Sequence, residues 1–436
     1  MKYDLVVVGG GPGGLMAART ASRQGMQVLV VEKNKAFGIA RRLCSRLLRL
    51  GAGGFQSDIE VTDAGHRKIT ITIELDGERS VLHLKPLPPD ADVRYTGAWA
   101  ASFNDTWFSP SGFKLHHKPT DDHFTGLIID KDALLAGMAA ECAEAGCELR
   151  AATQAVAIED GPDSVTLELK SGDTRATVRA RKAVIADGSF SPLLEQLDFN
   201  EGRKVVGVRV KFLTLILDGV ASNYVDTHRV KFCFPSLHRG YITLSQYPPG
   251  RFQLGATTTT GSQVNLPTVL EHFMAESPYA DWFAESKVLG RTGCNMDLRP
   301  PVWEPAKGNV ICAGDNVAYG ETSIKHAMGC GYIAAHAMRS SLDGGNGNAE
   351  YNEFWQNSLN YFSKQYRAQI GRTKSIPAVL NDEEADTLFR WLQDNSVCGL
   401  PQDCLPDNRN RLYAEMPGIA EKLMGPRDTE GTDRAA

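Results

Sequence analysis

Two hydrophobic textures alternate along this chain. Leu5 to Val8 and Val28 to Val31 are unbroken apolar runs, the pattern of strands covered on both faces of a parallel sheet. A glycine-rich turn follows the first run, and Leu15-Met16-Ala17-Ala18 continues as a helix. Strand, glycine turn, helix and strand within about thirty residues make a βαβ unit. From Ile69 the texture changes: Ile69-Thr70-Ile71-Thr72-Ile73-Glu74-Leu75 alternates at period two, which predicts half-buried antiparallel strands.

The alternation continues downstream. Leu134, Leu135, Met138 and Cys142 form one apolar stripe and predict a helix over Asp130 to Gly146. Ala155 to Ile158 and Ser164 to Leu169 read as strands, and the run Val184-Ile185-Ala186 ends at Asp187-Gly188. Val205 to Leu217 and Tyr241 to Gly255 are β-rich. Asn309-Val310-Ile311-Cys312-Ala313-Gly314-Asp315 then repeats the buried-strand texture before a helix over Ala327 to Met338. Residues 350–395 are helical in composition, and the polar tail after Gly425 is expected to fray.

Three stretches carry chemistry. In Gly9-x-Gly11-x-x-Gly14 the first glycine allows a tight turn, the second lets backbone approach a pyrophosphate, and the third lets the helix pack closely. The helix that begins there offers unpaired N–H groups to phosphates. Glu32 ends the second strand and suits both ribose hydroxyls of an adenosine, while repelling a 2′-phosphate; FAD or NAD is preferred over NADP. Asp315 needs a polar partner at its strand end, and ribityl hydroxyls would supply one. Asp187-Gly188-Ser189-Phe190-Ser191 fits the same cofactor, although a strand followed by Asp-Gly is also an ordinary turn. In this order the three stretches read as one FAD site in an oxidoreductase.

Composition narrows the field. The 436 residues are 42% hydrophobic, enough for a substantial core, and the net charge of -5 gives no support for nucleic-acid binding. Nine cysteines, an odd and scattered set without CxxC, read as free thiols of a cytoplasmic protein. Lys2 before an apolar run admits a signal peptide, but Asp4 interrupts the run and the glycine turn explains it better. No stretch of about 18 apolar residues suggests a transmembrane helix. His116, His117 and His123 lack a spaced fourth ligand, so no metal is expected. Cys44 reads either as a structural thiol or, beside Arg41, Arg42, Arg46 and Arg49, as a thiol whose neighbours favour thiolate and an anionic ligand. Tyr95, Trp99, Phe103, Trp107, Phe108 and Phe113 offer the lining of an apolar pocket, or simply core.

Over about residues 1–340 the chain resembles the flavoproteins of para-hydroxybenzoate-hydroxylase fold, and within them the geranylgeranyl reductase family most. Glu32-Lys33, a short loop and the Arg-rich Cys44 segment match the placement of that family's active-site cysteine. Ala327-Met328-Gly329-Cys330-Gly331-Tyr332 matches its second FAD segment and helix. The family's Cys-Gly-Glu becomes Cys44-Ser45-Arg46, and its Pro-x-x-Gly-x-Gly becomes Gly320 to His326. The aromatic Phe-Pro segment persists only in Phe234-Pro235 and Tyr241 to Pro249. The halogenase Trp-x-Trp-x-Ile-Pro is absent, and Asp187-Gly188 lacks the flanking residues usual in hydroxylases.

The resemblance implies FAD held by Gly9, Gly11, Pro12, Gly13 and Gly14, by Glu32, Lys33 and Arg41, and by Ala155, Asp187, Gly314 and Asp315. It places Cys44 beside the flavin as a proton donor or substrate-holding group. The expected fold is α/β: a doubly wound FAD-binding part (1–68, 126–202, 291–345), an antiparallel substrate layer (69–125, 203–290), and a helical C-terminal region with its tail (346–436). The expected activity is reduction of carbon–carbon double bonds in a small apolar, even isoprenoid, molecule, with NAD(P)H or another reductant as donor and peripheral membrane contact for substrate delivery. A flavin monooxygenase and a non-catalytic flavin electron carrier are the alternatives.

Overall fold

The computed structural model describes residues 2–40, 46–48, 71–205, 210–258, 264–318, 322–358, 362 and 373–427. Its first layer is an eight-stranded sheet among those residues, centred on Tyr3–Val8. That strand pairs in parallel with Val28–Val31 on one side and with the C-terminal half of Thr174–Ile185 on the other. Val310–Cys312 continues the parallel run beyond Ala183, Val184 and Ile185. Leu5, Val6, Val7, Leu29 and Val30 are fully buried, as unbroken apolar runs require when helices cover both faces. The N-terminal half of Thr174–Ile185 turns to antiparallel pairing with Val165–Ser171, and Gln154–Asp160 completes that edge.

One face of this sheet is covered by the helix Pro12–Arg23, which lies against the long helix Ile324–Leu342 at backbone contact. A Cβ placed on Gly331 would lie 2.0 Å from the carbonyl oxygen of Gly13, and one on Gly13 would lie 2.9 Å from that of Ala327. Only glycine allows the approach. A small three-stranded sheet, Thr72–Asp76, Val81–Lys85 and Val93–Arg94, adds Ile73, Leu82 and Leu84 to the same core. The fully buried Arg19 ties these parts together. It donates to Glu141 at 2.5 Å and to the backbone carbonyls of Asp92 and Ala91.

The second layer is a nine-stranded, mostly antiparallel sheet among the described residues, ordered Lys287–Met296, Val210–Asp218, Arg251–Thr257, Tyr241–Tyr247, His228–Cys233, Trp99–Phe108, Phe124–Ile129 and Leu47–Leu48, with Lys114–His116 paired to the edge of Trp99–Phe108. Strand alternation sorts its side chains into two faces. Phe108, Phe232, Leu244 and Leu254 point into one core with the helix Leu266–Glu276. Trp107 and Cys233 point the other way, toward the C-terminal helices, where Leu388, Phe389 and Leu392 of Asp382–Asp394 are fully buried. The architecture is thus the expected α/β fold with an antiparallel layer and a helical C-terminal region. Within the described residues, no helix is long and apolar enough to cross a membrane.

Candidate active site

A cavity of about 1610 Å³ lies between the two sheets, walled on one side by the glycine turn and on the other by the antiparallel sheet and the C-terminal helices. Typical small-molecule pockets span roughly 300–1,000 Å³, so this one has room for a cofactor and a second molecule.

On the glycine side, Gly9 adopts φ +110°, and a Cβ there would lie 2.2 Å from the carbonyl oxygen of Ala186. Gly14 does not line the cavity; its missing Cβ would lie 2.0 Å from the carbonyl oxygen of Gly9, so it lets the helix close on the turn. Gly11, in contrast, has nothing within 4 Å of a Cβ position and faces the cavity as the N-cap of the Pro12–Arg23 helix, with no side chain capping that end. Open space over uncapped N–H groups at a helix N-terminus is where a diphosphate fits. Gly13 and Pro12 line the same wall.

Glu32 is buried against the turn. One carboxylate oxygen accepts from the Gly10 N–H at 2.7 Å and the other from the Asn34 N–H at 2.7 Å. Each oxygen has two lone pairs, so these bonds orient the carboxylate and leave acceptor capacity for a ribose. Lys33 and Ala155 line the cavity beside it.

Asp187 follows the strand Thr174–Ile185. Burial pushes its carboxyl up to about 6, opposed by hydrogen bonds from Ser191 and Asn316 and by the charge of Lys33. Asp315, after Val310–Cys312 and Gly314, accepts from both the N–H (2.6 Å) and the hydroxyl (2.9 Å) of Thr322. The carboxylate pins the chain just before the long helix, whose Ser323 side chain caps the His326 N–H. Buried Lys325 and His326 line the cavity at that helix N-terminus, and His326 Nδ1 lies 2.9 Å from the Ser323 hydroxyl.

The opposite wall is built from Asp105 and Trp107, Arg229 and Lys231, Tyr241 and Thr243, Thr257 and Met296, with Lys374 and Leu400 from the C-terminal region. Sequence reasoning missed Asp105, Arg229, Lys231, Lys325 and His326. The signal was there in Arg229-Val230-Lys231-Phe232, a period-two strand with charges on one face only.

The aromatic set requires correction. Only Trp107 of the six lines the cavity. Tyr95 is buried in the first core, where its hydroxyl accepts from the Asp130 N–H, and burial raises its phenol to about 12. Phe108 lies on the far face of the sheet because it is one residue out of phase with Trp107. Phe113 packs under Arg390, Phe103 meets Phe124 edge-on, and Trp99 is exposed. Period-two alternation scatters a local aromatic cluster to different faces. Cys44 and Arg41 lie outside the described residues.

Residues 2–251 match the family model described as an FAD binding domain. The chain is 24% identical over 388 residues to digeranylgeranylglycerophospholipid reductase of Methanocella arvoryzae, covering 85% of this chain and 84% of that protein. Aklavinone 12-hydroxylase of Streptomyces peucetius is 28% identical over 200 residues, 44% of this chain and 37% of that one. Among solved structures, a geranylgeranyl bacteriochlorophyll reductase-like protein of Thermoplasma acidophilum superposes with a TM-score of 0.66 at 17% identity, covering 96% and 98% of the two chains. The glycine wall matches what an FAD diphosphate and ribose require, and the family match spans more than half of the chain; the protein belongs to the FAD binding domain family and is an FAD-dependent oxidoreductase.

Proposed function

We propose that the protein reduces carbon–carbon double bonds of a largely apolar substrate. The observation that carries this reading is the span of the likeness. The reductase of Methanocella arvoryzae aligns across 85% of this chain, whereas the hydroxylase likeness covers 44%.

FAD, when bound, supplies hydride chemistry. In this reading Gly11 to Gly13 and the first helix N-terminus hold the diphosphate, and Glu32 accepts from the ribose. Arg41, Lys33 and Ala155 flank the adenosine half. Asp187, Gly314 and Asp315 hold the chain turns around the flavin half. The sheet wall orients the alkene, and the C-terminal helices exclude water. Cys44, in its thiol form, is the proposed donor of the proton that completes saturation of the double bond. NAD(P)H or another reductant supplies the electrons. Exposed Ile39 and Phe190 at the cavity rim suit delivery of an apolar molecule from a membrane surface or a carrier.

A digeranylgeranyl glycerolipid incubated with the FAD-loaded protein and a reductant should lose double bonds both in air and under argon. A product formed only in air and carrying new oxygen would replace this reading with a monooxygenase. Reversible flavin reduction with no organic product would leave an electron carrier.

A further inference from the structure

Behind the FAD-binding helix Pro12–Arg23, the helix Lys131–Glu144 ends in a cap built around two cysteines. The Cys147 N–H donates to the Cys142 carbonyl at 3.0 Å, and the Gly146 N–H to the Ala143 carbonyl at 3.0 Å, with Gly146 at φ +95°. This is the bond pattern of a Schellman cap, in which a side chain in the last helical turn meets the one two residues past the cap. Here those two side chains are Cys142 and Cys147. Any apolar pair would close such a cap, yet this one holds two free thiols within hydrogen-bond reach of each other.

Both thiols also touch the FAD-binding helix. Cys142 Sγ donates to the Leu15 carbonyl at 3.2 Å and Cys147 Sγ to the Ala18 carbonyl at 3.4 Å. The Ser22 hydroxyl donates to the Ala145 carbonyl at 2.5 Å and completes the contact. The two sulfurs are not equivalent. Cys142 is fully buried, whereas Cys147 is 8% exposed. A hydrogen bond from Cys142, opposed by burial and aided by Ser22, holds the Cys147 thiol below its ordinary value. The same contact, together with burial, pushes Cys142 up. Cys147 is therefore the nucleophile of the pair and Cys142 the resolving thiol.

We infer that Cys142 and Cys147 are an oxidation site: hydrogen peroxide converts them to a disulfide within the helix cap, and the disulfide loosens the FAD-binding helix by withdrawing both S–H donors from it. The Cys147 thiolate attacks one peroxide oxygen; an S–O bond forms, the O–O bond breaks, and hydroxide leaves with the proton that Cys147 gave up. The Cys142 sulfur then attacks the sulfenic sulfur; the S–S bond forms, the S–O bond breaks, and a second water leaves with the Cys142 proton. The thiols lose two electrons and two protons, and peroxide accepts both. The site holds whichever substrate the cavity takes.

Trypsin releases residues 132–150 as one peptide that carries both cysteines and no other. FAD-loaded protein is treated with hydrogen peroxide, unfolded in an alkylating reagent, digested and weighed by mass spectrometry. That peptide should emerge two hydrogens lighter and unlabelled, at least tenfold faster than the buried thiols Cys233 and Cys312 lose their label, and a dithiol reductant should reverse the change. In Cys142→Ser, Cys147 lacks its resolving partner and should gain oxygen instead. In Cys147→Ser, Cys142 should keep its label. FAD affinity, read by equilibrium dialysis, should fall at least threefold in the oxidised parent, recover on reduction, and ignore peroxide in Cys142→Ser/Cys147→Ser.

A parental peptide that keeps both labels, a pair no faster than Cys233 and Cys312, or a Cys142 oxidised at the parental rate in Cys147→Ser would overturn the site. Should a serine variant fail to hold FAD, the parental peptide alone decides. A disulfide that leaves FAD affinity unchanged, or a peroxide response that survives in the double variant, would overturn the coupling to the helix.

Discussion

The two walls of the cavity are built in opposite ways. The glycine wall presents backbone: an uncapped helix N-terminus at Gly11, a turn through Gly9 at positive φ, and a Glu32 carboxylate already fixed by two backbone N–H groups. The sheet wall presents side chains projecting from paired strands, among them Asp105, Arg229, Lys231 and Thr243. A backbone site admits little variation where its glycines, Gly9, Gly13 and Gly14, leave no room for a Cβ beside other backbone. A side-chain site on a sheet keeps its scaffold whatever the facing residues are. One fold can therefore hold a constant cofactor while its substrate changes.

The contrast is sharpest in mutation. Gly14→Ala should be the most damaging single change, since its Cβ would lie 2.0 Å from a backbone oxygen that cannot move without opening the turn. A loss on the order of 4 kcal/mol or more is expected, read as colourless protein with a collapsed melting transition. A yellow protein with the parental melting temperature would remove the packing role of that glycine.

Asp187 gives a pH-dependent effect. Its carboxyl is pushed from 3.8 to about 6 in the folded chain, so folded protein holds this proton more tightly than unfolded protein does. The stability it contributes is full below about pH 4 and is lost as pH rises through about 6. Asp187→Asn should therefore stabilise FAD-free protein above pH 6 by about 1–3 kcal/mol and leave it nearly unchanged at pH 4. Urea unfolding of parent and variant at pH 4.5 and 8 checks this. A difference that does not grow with pH contradicts it.

Gly11→Ala separates binding from folding on the same wall. With open space around its Cβ, the chain should keep its melting temperature, while FAD affinity falls about tenfold, or about 1.4 kcal/mol. Equilibrium dialysis measures that loss, and parental affinity would place the diphosphate elsewhere. On the sheet wall, Thr243→Val removes a hydroxyl that donates to the Gly255 carbonyl at 3.3 Å. Stability and FAD content should change by no more than about 0.5 kcal/mol, while the rate of flavin reoxidation by substrate shifts. Loss of FAD in this variant would mean that the walls are not independent.

Much of the glycine wall was legible in the sequence because its features are local. Leu5 to Val8, the three glycines and Glu32 lie within thirty residues, and each reports a backbone requirement. The helix stripe of Leu134, Leu135, Met138 and Cys142 is buried as its spacing predicts. The sheet wall was not legible, because it joins strands more than a hundred residues apart: Asp105 meets Arg229 only through parallel register. The aromatic segment misled for a related reason. Six rings close in sequence suggested one lining, but a strand sends Trp107 and Phe108 to opposite faces. Asp315 was read as waiting for a ligand's hydroxyls, whereas it also serves the chain by holding Thr322. That bond depends on a loop closure that no spacing reports.

The central claim is that one cavity holds the cofactor on backbone and the substrate on side chains. A crystal structure of the FAD-loaded protein tests it most directly. The diphosphate should lie over Gly11 and the first helix N-terminus, with the adenosine ribose on Glu32. The flavin ring should lie near the start of the long helix at Ser323, leaving Arg229, Lys231 and Thr243 uncovered. A cofactor lying across those three residues, or a ribose away from Glu32, would contradict the account.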